Sequence, residues 1–213
     1  MQNIKLVIFD LDGTLIDAYA AICSSFNYVM RKFGLQPKSP RFIRRLVGWG
    51  DANLLKPYVP EQDLKISLRL YRNHHKFSLV GQSRLYPYVR ALLRKLKARG
   101  CKLAVASNRP SRFSLILLKH LGIRNFFDYV LCADKLERGK PDPEILNQII
   151  SRFVFKKSQV LYVGDMVIDA QAGRRAKVKT IIVTGGSSSR PEIKKEHPFK
   201  IVSGVKQLAD MFK

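Results

Sequence analysis

Residues 4–14 read IKLVIFDLDGT, and the order of residue types in this stretch decides the fold. Residues 4–9 are apolar except for Lys5 and rich in β-branched types, the pattern of a strand buried on both faces. Two acids, Asp10 and Asp12, follow at once. Similar apolar runs recur at 102–106 (KLAVA), 129–132 (YVLC), 160–163 (VLYV) and 180–183 (TIIV). Helical periods lie between them. Residues 88–99 put Val89, Leu92, Leu93 and Leu96 on one stripe, and Gly100 supplies the stop. Residues 114–121, 143–153 and 167–176 behave alike. Such alternation predicts right-handed βαβ crossovers and a doubly wound, mainly parallel α/β sheet with a Rossmann-like core. Residues 17–82 break the pattern. They hold no convincing strand, carry helical stripes at 20–33 and 63–77, and are punctuated by Pro37, Pro40, Pro57 and Pro60. The expected organisation is a core of 1–16 and 83–213 with a small α-helical domain inserted at 17–82.

The remaining composition narrows the class. The chain has 213 residues, 46% of them hydrophobic, which is enough for a real core and excludes a disordered basic tail. No apolar run reaches the roughly 18 to 20 residues of a membrane span. The first residues lack the layout of a signal peptide. Cys23, Cys101 and Cys132 are odd in number and lack metal-type spacing, so buried thiols in a reducing compartment are expected, and with them a cytoplasmic protein. With 39 basic and 16 acidic residues, the formal charge is +23. This surplus admits nucleic acid, an anionic small substrate or a merely basic surface. The basic residues are spread along the chain, in clusters such as 97–99, 156–157, 174–175 and 194–195, without a motif that reads RNA or DNA. Nucleic acid is therefore not expected as a principal partner.

Because acids are few, their placement is informative. Asp10 and Asp12 end the first strand, and Asp165 and Asp169 end the strand at 160–163, in VGDMVIDA. In open parallel sheets, ligands bind beyond the carboxyl ends of the strands. A lone strand-end Asp commonly just caps the next helix, but two pairs at two strand ends argue for a shared site. Two such charges about 4 Å apart repel by roughly 4 kcal/mol at an effective dielectric near 20. A hard cation removes that penalty, and Mg²⁺ suits carboxylate, water and phosphate ligands together. The absence of clustered His or Cys argues against zinc. Ser107-Asn108 follows the KLAVA strand and precedes Pro110, where a hydroxyl and backbone N–H groups could hold an anion. Lys140 stands in RGKPDPE, before two prolines that preset a helix start. Each of these also has an ordinary reading, as a cap or a solvated lysine.

Taken in order, Asp10-Leu11-Asp12-Gly13-Thr14, Ser107-Asn108, Lys140 before Pro141, and Gly164-Asp165 with Asp169 resemble the four motifs of the haloacid dehalogenase superfamily. The resemblance covers essentially the whole chain, and the helical insertion corresponds to the family's α-helical cap, near phosphoglycolate phosphatases and pyrophosphatase-like relatives. It implies a Mg²⁺-dependent phosphoric monoester hydrolase. Asp10 would be the nucleophile that forms an aspartyl-phosphate, and Asp12 the general acid and then base. Metal would be held by Asp10, Asp165 and the backbone carbonyl of Asp12, with Asp169 supporting it and orienting Lys140. Thr14, Ser107, the Asn108 backbone N–H and Lys140 would bind the phosphoryl oxygens. An acid at Asp12 separates the chain from the family's dehalogenases. Ile22, where the sugar phosphomutases carry a cap histidine, separates it from those. No lysine of the cap is marked for Schiff-base chemistry.

Substrate choice would rest with the cap. Residues 46–51 (LVGWGD) resemble the glycine-containing specificity loop of phosphoglycolate phosphatase-like caps. Gly48 and Trp49 are expected to line the leaving-group pocket, with Arg45 or Arg44 meeting a substrate carboxylate. Alternatively Trp49 packs the cap core and the arginines are solvated. His74-His75 reads as a helix-surface pair, and Arg109 either helps the anion or faces water. Cap closure would hinge near 16–18 and 81–84. The expected partner is a small phosphorylated metabolite acting on a monomer or homodimer. Phosphoglycolate, pyrophosphate, nucleotides and sugar phosphates all stay open, and a polynucleotide-end phosphatase would accommodate the basic surface.

Overall fold

The structure is a computed structural model, and it describes residues 1–212. The chain opens with β1 (Leu6–Phe9) and β2 (Ile16–Asp17), then runs through α1 (Tyr19–Lys32), α2 (Pro40–Leu46), α3 (Asp51–Leu55) and α4 (Leu64–Gln82). It returns through β3 (Arg84–Leu85), α5 (Val89–Ala98), β4 (Lys102–Ser107), α6 (Ser111–His120), β5 (Tyr129–Cys132) and α7 (Glu144–Phe153). The last part is β6 (Val160–Gly164), α8 (Val167–Ala176), β7 (Lys179–Val183), α9 (Arg190–Lys194), β8 (Lys200–Val202) and α10 (Val205–Asp210).

Six strands form one sheet in the order β5-β4-β1-β6-β7-β8, and every pairing is parallel. The chain leaves β1 for β4 and β5 on one side, then crosses to β6, β7 and β8 on the other. Strand order therefore reverses at β1, the position where open α/β sheets bind ligands. Leu6 lies opposite both Lys102 of β4 and Val160 of β6, so the carboxyl ends of these three strands sit level.

The continuous apolar reading of β1 has a direct cause. Val7 and Phe9 join the cluster packed by Leu92, Leu96, Leu117 and Leu208 on one face of the sheet. Leu6 and Ile8 join Ile145, Ile149, Ala172 and Ala176 on the other. All four residues of β1 are buried, so alternation is lost and only hydrophobicity remains.

Helices α1 to α4 have their own cluster, built on Phe26, Val29, Met30, Ile43 and Leu55. The chain enters and leaves them through β2 and β3, which pair antiparallel with Ile16 opposite Leu85. Neither short strand is visible in the hydrophobic pattern, and neither is β8 with the α10 that follows it. Three residues with a charged first position, Lys200–Val202, give no periodic signal. Among the described residues no helix is long and apolar enough to cross a membrane.

Candidate active site

The turn after β1, the end of β4, the loop before α7 and the turn after β6 converge at one place. Asp10, Asp165 and Asp169 are buried, with one carboxylate oxygen from each lying within 4.8 Å of the others. Lys140, 4% exposed, reaches between them. Its Nζ donates to Asp10 Oδ1 at 2.7 Å and Asp169 Oδ1 at 2.8 Å, and it also meets the Ala106 carbonyl and the Tyr162 hydroxyl at 3.1 Å each. Tyr162 donates to Asp169 Oδ1 at 2.5 Å, while Asp169 Oδ2 accepts from the backbone N–H groups of Asp165 and Met166. Both oxygens of Asp169 are thus taken. Asp165 instead accepts from the Thr14 hydroxyl and the Ser187 N–H and touches no cation among the described residues.

The electrostatics follow from burial. Desolvation lifts the Asp10 carboxyl to about 7, with Asp169 and Asp12 adding to the rise and Lys140 opposing it. Burial, then Asp169 and Asp10, hold Asp165 well above the usual carboxylate range. Burial disfavours the Lys140 ammonium, but Asp10 and Asp169 outweigh it and keep the lysine charged. One lysine cannot balance three ionised carboxylates, so burial favours protons on Asp10 and Asp165 unless a further cation joins them. All the donors are oxygen, so the set fits a hard divalent cation. Gly13 (φ +81°) is needed beside it, because a Cβ there would come within 2.3 Å of Asp165 Oδ2.

Several expected roles are changed by the geometry. Thr14 is fully buried and donates its hydroxyl to Asp165, so it braces an acid, and it is not among the described residues that border the cavity. The Asn108 side chain donates to the carbonyls of Gly48 and Lys140 and accepts from the Lys140 N–H at 2.8 Å. It ties the end of β4 to the lysine loop and to the helical insertion. Ser107, buried at the end of β4, accepts from the Arg109 N–H and borders the cavity. Gly48 also borders it, with φ +123° and a Cβ position 2.4 Å from the Met166 sulfur, so this close approach requires glycine.

Trp49 and Arg45 lie elsewhere. Trp49 is 48% exposed and shares an outer depression with Arg45, whose guanidinium pairs with Glu192 at 3.0 Å. Arg44 stacks on Tyr19 at 4.1 Å and donates to the Gly185 carbonyl. Neither arginine lines the cavity that contains Asp10, because α2 sits over the 184–189 loop and sends both side chains to the core surface.

The cation that does line this cavity beside Lys140 is Arg109. It is buried and forks onto Asp12, Nε to Oδ2 at 2.8 Å and Nη2 to Oδ1 at 2.6 Å. Its Nη1 meets His75 Nε2 at 2.9 Å. An arginine can only donate, so His75 is neutral, accepts at Nε2 and carries its proton on Nδ1, facing Ser25 Oγ at 3.0 Å. Ser25 in turn donates to the Ala21 carbonyl. Burial, reinforced by the Arg109 charge, pushes His75 down to about 2. The surface reading of His75 was wrong, because its partner comes from a different element 34 positions away.

A stability effect follows. Between about 6.5 and 2 the unfolded chain holds a proton on His75 that the folded chain lacks. Stability therefore falls as pH drops below about 6.5, by up to roughly 1.4 kcal/mol per pH unit from this group. Urea unfolding at pH 6.5, 5.5 and 4.5 should show a shallower slope for His75→Gln than for the parent chain. Equal slopes would refute the assignment.

Comparison with known proteins places this geometry. The signature of haloacid dehalogenase-like hydrolases matches residues 7–183. The phosphoglycolate phosphatase of Rhodobacter capsulatus is 33% identical over 210 residues, spanning 93% of this chain and 95% of that protein. That of Nitrosospira multiformis is 34% identical over 181 residues, 81% of this chain and 80% of its own. The crystal structure of a predicted phosphoglycolate phosphatase from Haemophilus somnus 129PT superposes with a TM-score of 0.94 at 27% identity, covering 100% of both chains. A six-stranded parallel sheet that reverses at an acid-tipped β1, and a sequence match running through all its strands but the last, make this chain a member of the haloacid dehalogenase-like hydrolase family.

Proposed function

We propose that this chain is a Mg²⁺-dependent phosphatase that hydrolyses a small phosphomonoester of the phosphoglycolate kind through an aspartyl-phosphate on Asp10, with residues 17–82 as its cap. The observation that carries the reading is the buried Asp10–Lys140–Asp165–Asp169 cluster at the switch point of the sheet. Asp10 borders the cavity, and no described residue donates to its Oδ2, which suits it to attack phosphorus. As the Asp10–phosphorus bond forms, the bond to the leaving oxygen breaks, and Asp12 gives that oxygen a proton. Asp12 then takes a proton from the water that attacks the aspartyl-phosphate, and Asp10 and phosphate are released. Lys140 and the N–H groups after Ser107 offset charge on the transferring oxygens. Asp10 and Asp165, with the backbone of Asp12, would hold the metal, and Asp169 with both oxygens committed acts from behind by fixing Lys140. A bound Mg²⁺ supplies charge stabilisation for the phosphoryl group.

The test is phosphate release from a panel of phosphorylated metabolites, before and after stripping with chelator. Stripping should lower the rate on phosphoglycolate at least about 100-fold, with recovery on adding Mg²⁺. A stripped protein that keeps its rate, or no release from any ester, would refute the reading.

A further inference from the structure

Resting on the phosphatase reading just given, we infer that Arg109 is the specificity-determining residue, receiving a carboxylate carried by the leaving group beside the scissile oxygen. The cavity around Asp10 is narrow, about 60 Å³, room for four to six water-sized sites by the roughly 10–15 Å³ each requires. Its helical side is apolar, formed by Ile22, Val47, Leu54 and Tyr71. Among the described residues only two cationic side chains border it, Lys140 and Arg109. Lys140 has three N–H donors and already faces four acceptors, Asp10, Asp169, the Ala106 carbonyl and Tyr162, so it has none to spare for a carboxylate. Asp51 also borders the cavity, but Arg72 forks onto it at 2.7 and 3.1 Å.

Arg109 differs on each count. A guanidinium has five N–H donors. Asp12 takes two and His75 one, leaving two. The fork onto Asp12 puts these donors next to the group assigned to protonate the leaving oxygen. A carboxylate one carbon away from that oxygen has Arg109 within reach and no other uncommitted cation. His75 and Ser25, fixed on the helical insertion, set the plane of the guanidinium. The chemistry selected is a phosphate ester of a short hydroxy acid, in preference to an uncharged alcohol of equal size.

Two matched pairs test this. 3-Phosphonopropionate and propylphosphonate differ in a carboxylate against a methyl group and are not hydrolysed. Calorimetry on the parent chain with Mg²⁺ should find the carboxylate analogue at least about 30-fold tighter, the range of a charge-assisted contact. Equal affinities would overturn the inference, whether or not the protein turns over any ester. The second pair is phosphoglycolate and ethyl phosphate. In Arg109→Gln and Arg109→Lys, the ratio of their kcat/KM values should shift at least about 30-fold toward ethyl phosphate in the Gln variant and less in the Lys variant. An unchanged ratio, with both rates falling together, would show that Arg109 only positions Asp12. Phosphoglycolate turnover by the parent chain separately tests the phosphatase reading; if it fails, the same calorimetry on Arg109→Gln still decides the Arg109 assignment, since the preference for 3-phosphonopropionate should vanish there and its persistence would overturn the inference.

Discussion

Asp10→Asn is expected to lower turnover of phosphoglycolate by about 10⁴- to 10⁶-fold, the scale on which loss of a covalent nucleophile is felt. Asparagine matches aspartate in shape and still accepts from Lys140 through its amide oxygen, so the turn after β1 keeps its geometry. What it cannot do is form the mixed anhydride with phosphate. The fold should not suffer, because Asp10 is one of three crowded carboxylates held above its ordinary pKa by burial, and neutralising it relieves repulsion. Acid quenching of the parent chain during turnover of labelled substrate should trap phosphate on protein, and the variant should trap none. Near-normal activity of the variant would exclude Asp10 as nucleophile.

Lys140→Met should lower kcat by about 10²- to 10³-fold and cost about 3 to 5 kcal/mol of stability. Methionine fills nearly the same volume, so a packing defect is not the cause. The loss arises because Asp10 and Asp169 would both lose their buried cation, along with the ammonium that bridges them at 2.7 and 2.8 Å. Tyr162 would retain its bond to Asp169 but lose the charge behind it. Denaturant midpoints and steady-state rates measure the two effects independently. A variant as stable as the parent would mean that the cluster does not depend on Lys140 for charge balance.

The parts of this site that could be read from sequence are those whose chemistry is fixed by position along one strand. Asp10 follows four buried residues of β1, and Asp165 follows five of β6, so the chain itself delivers each acid to a strand end. Lys140 is marked by the prolines after it. Arg109 and His75 carry no such mark. One follows a strand-end turn and the other sits amid polar residues of α4, and their pairing exists only because the insertion folds back over β4. Thr14 carries no mark either: a hydroxyl beside Asp10 fits a phosphate contact as well as a brace, and the 3.2 Å contact to Asp165 lies across 151 positions. Trp49 lies next to the glycine that borders the cavity, but with Gly48 at φ +123° and Gly50 at φ +86° flanking it, its side chain is directed outward.

The two-stranded ribbon of β2 and β3 makes the insertion portable. Its entry and exit residues already face each other, Ile16 with Leu85 and Asp17 with Arg84, and Arg84 pairs with Asp17 at 3.1 Å. Whatever lies between these four residues is a loop whose ends are held together by the core. The entropy of closing such a loop grows only with the logarithm of its length. Segments of quite different size could therefore be exchanged at this point without disturbing the register of the six-stranded sheet. The acids at the ends of β1 and β6 would stay constant while the chamber above them was rebuilt for another ligand.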